Sequence, residues 1–569
     1  MTRVIVALAC IAAGAILSAA DASLPQFVEI TRDAGIDFHH TNGASPDKHL
    51  VETMGSGALF FDYDTDGWID IFLVDGGIVA PRNGNVPAAP NPTVKAGHHL
   101  YHNRGNGTFE DVTPRSGVHH TEYGMGACAG DYDGDSRPDL YITTDGPNVL
   151  YRNLGNGRFV DVTATARVGD ARWSASCAFA DLDRDGDLDL WVTNYVAADR
   201  THPPVCADAR TNVRFYCHPL KYDPLPNTVY RNDGDGTFTD VSAESGVGAL
   251  RSNGLGVVIA DYDEDGWPDV FVANDNLPNF LFHNRGSLRF AEMGLPAGVA
   301  VAADGKARAG MGIDTGDYDA DGRLDLIVTN LDFEMHTLHR GMTKGVFADA
   351  TTQSGLGFPT LPFVGFGVAF LDVNNDSQLD IAIANGHILD NAPQFRAGST
   401  YMQRKLLFHN TNGHRFVESG RRMGTAFAAA KVGRGLATGD IDNDGDLDLL
   451  INNNGQLADL LRNDGGNRGN ALTVRLRGAG MNTDAIGARI LVTAGARTQR
   501  RDIKTGSSYL SQHDLRAHVG LGTATTVDRL EVRWPSGRVE TVSRVGVNQI
   551  VTIDEGKGIV ARAPYAGAR

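Results

Sequence analysis

Asp62-Tyr-Asp-Thr-Asp-Gly-Trp-Ile-Asp70 is the first of seven copies of one nine-residue pattern; the others open at Asp131, Asp181, Asp261, Asp317, Asp372 and Asp440. A Gly-rich apolar strand signal precedes each copy, as in Gly310-Met-Gly-Ile-Asp-Thr-Gly316, and a β-branched one follows, as in Leu324-Asp-Leu-Ile-Val-Thr329. Each copy is therefore a strand-to-strand turn. Two more strand signals come next, for example Leu150-Tyr-Arg-Asn153 and Phe159-Val-Asp-Val-Thr163 around the turn Gly155-Asn156-Gly157. Comparable pairs begin at Leu100 and Phe109, Val229 and Phe238, Leu281 and Phe290, Leu407 and Phe416, and, more loosely, Leu338 and Phe347. Four strands per repeat predict an all-β chain built as a seven-bladed β-propeller.

Carboxylates at positions one, three and five, a bend glycine at six and a carboxylate at nine gather hard oxygens about one centre, with the position-seven carbonyl completing a calcium-type shell. The expected ligands are Asp62, Asp64, Asp66 and Asp70; Asp131, Asp133, Asp135 and Asp139; Asp181, Asp183, Asp185 and Asp189; Asp261, Asp263, Asp265 and Asp269; Asp317, Asp319, Asp321 and Asp325; Asp372, Asn374, Asp376 and Asp380; and Asp440, Asp442, Asp444 and Asp448. Up to seven Ca2+ ions would be held. Without metal, four close carboxylates repel one another and several must take up protons. Ser136 and Ser377 replace the bend glycine and Asn374 replaces a carboxylate. The loops at Asp131 and Asp372 are accordingly expected to bind more weakly or stay partly empty. A shell filled by protein oxygens makes the ion a structural staple, because a catalytic metal keeps an open position. EF-hand and dockerin modules compete for the same loop pattern, but they place helices where this chain has strand signals.

The loops hold 30 of the 69 acidic residues and three of the 51 basic ones, so the net charge of −18 is local. Seven divalent ions would bring it to about −4, and the low isoelectric point then calls for no cationic partner; no nucleic-acid partner is expected. At the N-terminus, Met1-Thr-Arg3, an apolar run from Val4 to Leu17 and Ser18-Ala-Ala20 have the pattern of a secretory signal, residues 1–20, with cleavage after Ala20 or Ala22. About 14 apolar residues fall short of the ~20 that span a bilayer. No later segment is long and apolar enough to cross, so the expectation is a secreted protein, extracellular or periplasmic, with no transmembrane segment after cleavage. Cys10 would leave with the signal, and the remaining four cysteines suit an oxidising compartment. Cys206 and Cys217 share one Pro-rich loop and are the favoured disulfide, worth about 3 kcal/mol in the chain-entropy model. Cys128 and Cys177 fall in core-strand signals and are expected as buried thiols.

The last repeat has its loop at Asp440 and its strand Leu460-Leu-Arg-Asn463, but no Phe-x-Asp-x-Thr strand follows. Phe27-Val-Glu-Ile-Thr31 carries that sequence and is expected to pair into the last blade, closing the ring over residues 27–469 and removing its open edges. Strand direction alternates, so the acidic turns lie on one face of the ring. Connections from strand two to three, and from strand four to the next blade, lie on the other. Three insertions, Asp75 to His99, Tyr195 to Asn227 and His387 to Lys405, decorate that second face, where a rigid scaffold usually places binding. Their alternative use is to cap the central channel. His39-His40 with Glu52, and His119-His120, lie there as candidates for acid/base or metal chemistry, against ordinary hydrogen-bonded histidines. No nucleophile elbow, paired-histidine zinc motif or phosphate loop occurs, so no catalytic residue is assigned.

From Asn470 the acidic loops stop and short strand signals follow: Ala471–Leu476, Gly487–Thr493, Arg529–Trp534 and Gln549–Ile553. They define a small all-β domain, 470–554, with a tail, 555–569. Its pieces Asp484-Ala-Ile-Gly-Ala-Arg489, Gly506-Ser-Ser-Tyr-Leu-Ser-Gln512, His518-Val-Gly-Leu-Gly522 and Val532-Arg-Trp-Pro-Ser-Gly537 resemble, in that order, the ASPIC/UnbV domain. The preceding repeats resemble the FG-GAP (VCBS) repeats of integrin-α-type propellers, and the combination is similar to the cartilage acidic protein family and its bacterial relatives. The resemblance implies an extracellular calcium-binding propeller for interaction or adhesion, with a protein or glycan partner on the loop face. Its calcium pattern transfers cleanly to five loops and with departures to those at Asp131 and Asp372. An enzyme using the loop face, acting on carbohydrate or a small molecule, is the second reading; a purely structural matrix component is the third.

Overall fold

Each acidic turn joins the first two strands of a four-stranded antiparallel sheet. The computed structural model describes residues 24–79, 97–119, 122–199 and 202–567. The expected signal, His120 and the middle of the Asp75–His99 insertion lie outside these. The first sheet comprises Ala58–Phe61, Asp70–Leu73, His99–Asn103 and Phe109–Asp111, and six more sheets repeat the order. Their first strands, at 58–61, 123–130, 174–180, 254–260, 313–316, 365–371 and 433–439, pack against one another in that sequence, and the last packs against the first. The result is a closed β-propeller. Gln26–Glu29 supplies the outer strand of the last sheet by pairing antiparallel with Asp459–Asp464, Phe27 opposite Asn463.

Small residues crowd the ring axis and large ones fill the space between sheets. Tyr123–Gly130 reads Tyr-Gly-Met-Gly-Ala-Cys-Ala-Gly and is buried throughout. In the outer strand Phe159–Asp161 only the phenylalanine is buried. The Phe-x-Asp-x-Thr pattern is a corner lock: Thr113 N–H donates to Asp111 Oδ1 at 3.0 Å, and Thr113 Oγ1 accepts the Leu100 N–H at 2.9 Å. The same bonds recur at Asp161, Thr163 and Leu150. Gly117 then turns into the next blade with φ +82, where a Cβ would lie 2.5 Å from the Phe159 carbonyl oxygen, so only glycine allows this approach.

Two cysteine pairs are bonded. Cys206 joins Cys217 inside the Tyr195–Asn227 insertion, with Cα atoms 5.3 Å apart. Cys128 and Cys177, expected as thiols, are also bonded, Cα–Cα 5.8 Å. They occupy neighbouring inner strands, and the packing of one strand against the next brings the two side chains together.

The C-terminal domain is a sandwich of two four-stranded sheets. One contains Ala517–Gly522, Asn470–Arg477, Gln549–Asp554 and Gly558–Pro564; the other contains Arg497–Asp502, Arg489–Ala494, Thr526–Arg533 and Val539–Gly546. Leu472, Val474, Ile490, Val492, Leu530, Val532 and Val551 fill the space between them. Residues 555–569, expected as a tail, instead contribute Gly558–Pro564 as an edge strand on Gln549–Asp554.

Between its two sheets the domain sends Gly506–Gln512 into the propeller channel. Tyr509 is fully buried, donates from its hydroxyl to the Met54 carbonyl at 2.8 Å and meets the Phe366 ring edge-on at 4.8 Å. Ser508 and Ile313 exchange backbone bonds of 2.6 and 2.8 Å, and the Ala58 N–H donates to Ser511 Oγ at 3.0 Å. Inner strands have no sheet neighbour on their axial side, and a buried N–H left unpaired is costly. The plug supplies partners for several of these groups.

Candidate metal centre

In the first loop, Asp62 accepts the N–H groups of Asp66 and Gly67 at 3.0 and 3.1 Å, which curls the chain around a central space. Asp66 accepts the Trp68 N–H at 2.9 Å. Asp70 is pinned from two sides, by the Tyr63 N–H at 3.1 Å and the Asn103 N–H at 2.8 Å. The loop at Asp317 repeats this scheme through Asp321, Gly322, Tyr318 and Gly341. Ser136 and Ser377 follow the same backbone path with φ +68 and +76, a left-handed conformation in which a Cβ is strained.

These turns bring donor oxygens together. Asp62, Asp64 and Asp66 each offer an oxygen within 4.8 Å of the others, as do Asp131, Asp133 and Asp139, and Asp181, Asp183 and Asp189. Such spacing suits a hard cation bound at about 2.3–2.6 Å. Oδ1 of Asp64, Asp133, Asp181, Asp261 and Asp442 is buried without any hydrogen-bond partner. A buried acceptor of this kind is costly unless a cation meets it, so the residues present fit a calcium-type ion. Burial, reinforced by neighbouring carboxylates, raises Asp70 and Asp181 to about 7, Asp269 and Asp440 to about 8, and holds Asp139, Asp189 and Asp325 well above the usual carboxylate range.

Two sets of site residues escape the motif. The third strand places a basic side chain over most loops: His102 stands 3.3 Å from Asp64, Arg152 2.6 Å from Asp133, His283 3.4 Å from Asp263, Arg340 2.6 Å from Asp319 and His409 3.0 Å from Asp380. The next residue is asparagine in six of the seven repeats. Asn153 donates from Nδ2 to the Tyr63 carbonyl of the preceding loop and to its own Pro138 carbonyl, at 2.7 and 3.0 Å. Asn103, Asn232, Asn284, Asn410 and Asn463 do the same to Ile441, Tyr132, Leu182, Tyr318 and Val373. The recurring ending, a basic residue followed by asparagine, was the available signal; its reach across blades was not.

The acidic face is covered by the C-terminal domain, which touches every loop. Arg475 pairs with Asp62 at 3.2 Å and Arg489 approaches Asp261 at 3.6 Å. Asn482 N–H reaches the Gly186 carbonyl, Arg500 the Gly322 carbonyl and Arg516 the Asp440 carbonyl. The two loops that depart from the pattern are contacted through their own side chains. Thr483 donates to Asp131, whose N–H bonds to Asp484 at 3.0 Å. At the sixth loop His518 Nε2 and Asn375 Oδ1 are 2.7 Å apart, and a Cβ on Gly520 would lie 2.0 Å from Asp372 Oδ2.

On the opposite face the insertions interlock. Lys48 pairs with Asp390, Arg214 with Asp47 at 3.2 Å, Asn391 donates to the Arg214 carbonyl at 2.8 Å, and Phe215 packs on Phe395 at 5.4 Å. His40 and Glu52 are both buried but held separately. The His40 ring accepts the Gly455 N–H, and burial lowers its pKa to about 3. Glu52 is bound by Ser45 and Tyr216, and burial raises it. The candidate acid/base pair is therefore not assembled.

A family described as FG-GAP-like repeat matches residues 62–142, 131–192, 220–272, 261–328 and 317–383, more than half of the chain in all. The chain belongs to the FG-GAP-like repeat family. An ASPIC and UnbV family matches residues 478–560 of the C-terminal sandwich. Human cartilage acidic protein 1 is 30% identical over 327 residues, 56% of this chain and 46% of that protein; the mouse protein is 29% identical over 343 residues, 59% and 50%. This FG-GAP chain thus spans about half the length of the curated relatives it matches. Among solved structures, an Agrocybe aegerita lectin recognising non-reducing terminal N-acetylglucosamine has TM-score 0.33 at 16% identity, covering 64% of this chain and 79% of that one. YCF48 bound to a D1 peptide has TM-score 0.38 at 10% identity, covering 72% and 92%.

Proposed function

We propose that this chain is an extracellular interaction module in which calcium in the acidic loops is structural and a protein or glycan partner is engaged by the opposite face. The division of the two faces supports this most. The C-terminal domain covers the acidic loops, whereas the opposite face leaves Phe333 63% and Phe358 65% exposed. The two side chains sit on joined loops, Phe333 N–H donating to the Leu361 carbonyl at 2.7 Å, with Arg396 over the Phe333 ring at 5.6 Å. Aromatic residues and arginine are what binding surfaces concentrate.

The carboxylates at positions one, three, five and nine would hold the ion, which supplies neutralisation of their charge when bound. The position-nine carboxylates then fix the turn to the third strand, and the third-strand asparagines tie that order to the preceding blade. The two disulfides suit an oxidising compartment.

Binding of wild type and a Phe333→Ala/Phe358→Ala variant to a glycan array, and cross-linking of both to secreted proteins, tests the reading. Loss of shared targets in the variant is expected. An identical target set for a folded variant would overturn the loop-face assignment.

A further inference from the structure

A cleft of about 350 Å³ lies between the C-terminal domain and the propeller loops opening at Asp181 and Asp261. Its volume falls in the range of small-molecule sites, ~300–1,000 Å³. The walls combine apolar groups, including Ile259, Pro535 and Val539, with the cations Arg184, Arg489, Lys504, Arg533 and Arg538. Trp534 is 3% exposed and forms part of the wall, and its indole Nε1 has no hydrogen-bond partner. A buried donor without a partner calls for an acceptor. Arg184 has no acidic partner among the described residues; its guanidinium lies 5.3 Å over the Trp267 ring. Arg533 and Arg538 keep half or more of their side chains exposed even though each approaches a glutamate. Of the four acidic members of the wall, Asp181 and Asp261 are first-position loop carboxylates whose charge a loop cation would offset, Glu264 pairs with Arg489 and Arg500 at 3.0 and 3.2 Å, and Asp502 pairs with Arg500 at 2.7 Å.

We infer that this cleft binds a small organic anion of sugar size, such as a uronate, its carboxylate directed to the arginines and its ring to the apolar wall. The site is independent of the loop-face reading. It assigns a use to the Trp534-Pro535-Ser536-Gly537 turn, which neither the propeller nor the plug employs.

Titration calorimetry of the full chain in calcium buffer, with glucuronate as probe and glucose as the neutral control, tests it. Glucuronate is expected to bind at least tenfold more tightly than glucose, and Arg184→Ala/Arg538→Ala to weaken it at least tenfold. Trp534→Phe, which keeps an aromatic ring and removes the donor, is expected to weaken it severalfold. Absent heat with glucuronate, equal binding of glucose, or unchanged affinity in the folded arginine variant would each overturn the proposal.

Discussion

Asn153 in the second sheet donates to the Tyr63 carbonyl in the acidic loop of the first, 2.7 Å away, so adjacent blades are tied at the loop as well as through their packed faces. Loop order and ring order are thereby linked. Asn153→Ala would leave the buried Tyr63 carbonyl and the half-buried Pro138 carbonyl without this donor, at about 1–2 kcal/mol for each group. Denaturant unfolding should show a loss of about 2–4 kcal/mol, and a loss below half a kcal/mol would show that the bond is incidental.

Gly520 presses the C-terminal domain onto the sixth loop. Gly520→Ala should loosen that docking, because its Cβ would stand 2.0 Å from Asp372 Oδ2, while Gly480→Ala, with nothing within 4 Å, should be near neutral. Limited proteolysis of the two variants checks this. Equal cleavage rates would mean that the sixth loop is not a docking point.

The bond between Cys128 and Cys177 spans 49 residues and two blades. In the chain-entropy model a loop of that length stabilises by about 4 kcal/mol. A Cys128→Ala/Cys177→Ala variant should unfold at clearly lower denaturant than wild type, and coincident transitions would place the stabilisation elsewhere.

The pH dependence of the metal-free protein has a definite sign. Burial raises Asp70 to about 7, Asp181 to about 7 and Asp269 to about 8 in the folded chain, against roughly 4 when unfolded. The native state therefore binds more protons across about pH 4 to 8, and its stability falls as pH rises through that window. Chelated protein should melt higher at pH 5 than at pH 8. Calcium should reverse the order, since metal ligands must be ionised. The same order in both conditions would contradict the assignment.

Most of the architecture was legible because the repeat is written in short-range patterns. The acidic turn, the Phe-x-Asp-x-Thr corner and the stray N-terminal strand each depend on residues close in sequence. What escaped depends on which strands become neighbours. Cys128 and Cys177 are ordinary core residues until adjacent blades pack. Gly506–Gln512 reads as a family signature, and only the closed ring shows it filling the channel. The departures at Ser136 and Ser377 were visible as weak metal loops, but the domain that docks on them lies more than 100 residues away in sequence. Contacts between the loops of the opposite face escaped for the same reason: Lys48 meets Asp390, and Asn391 meets Arg214, across long stretches of sequence.

Calcium as the staple of the acidic loops is tested most directly by measuring metal content and thermal melting on the same sample, before and after chelation. An ion bound only to the folded state stabilises it by about 2.7 kcal/mol per site at one hundred times its dissociation constant. About five to seven calcium ions per chain are expected, with a melting temperature that drops by many degrees on their removal and returns when calcium is restored. A chain shown to be free of metal that melts at the same temperature as the calcium-treated one would contradict the account.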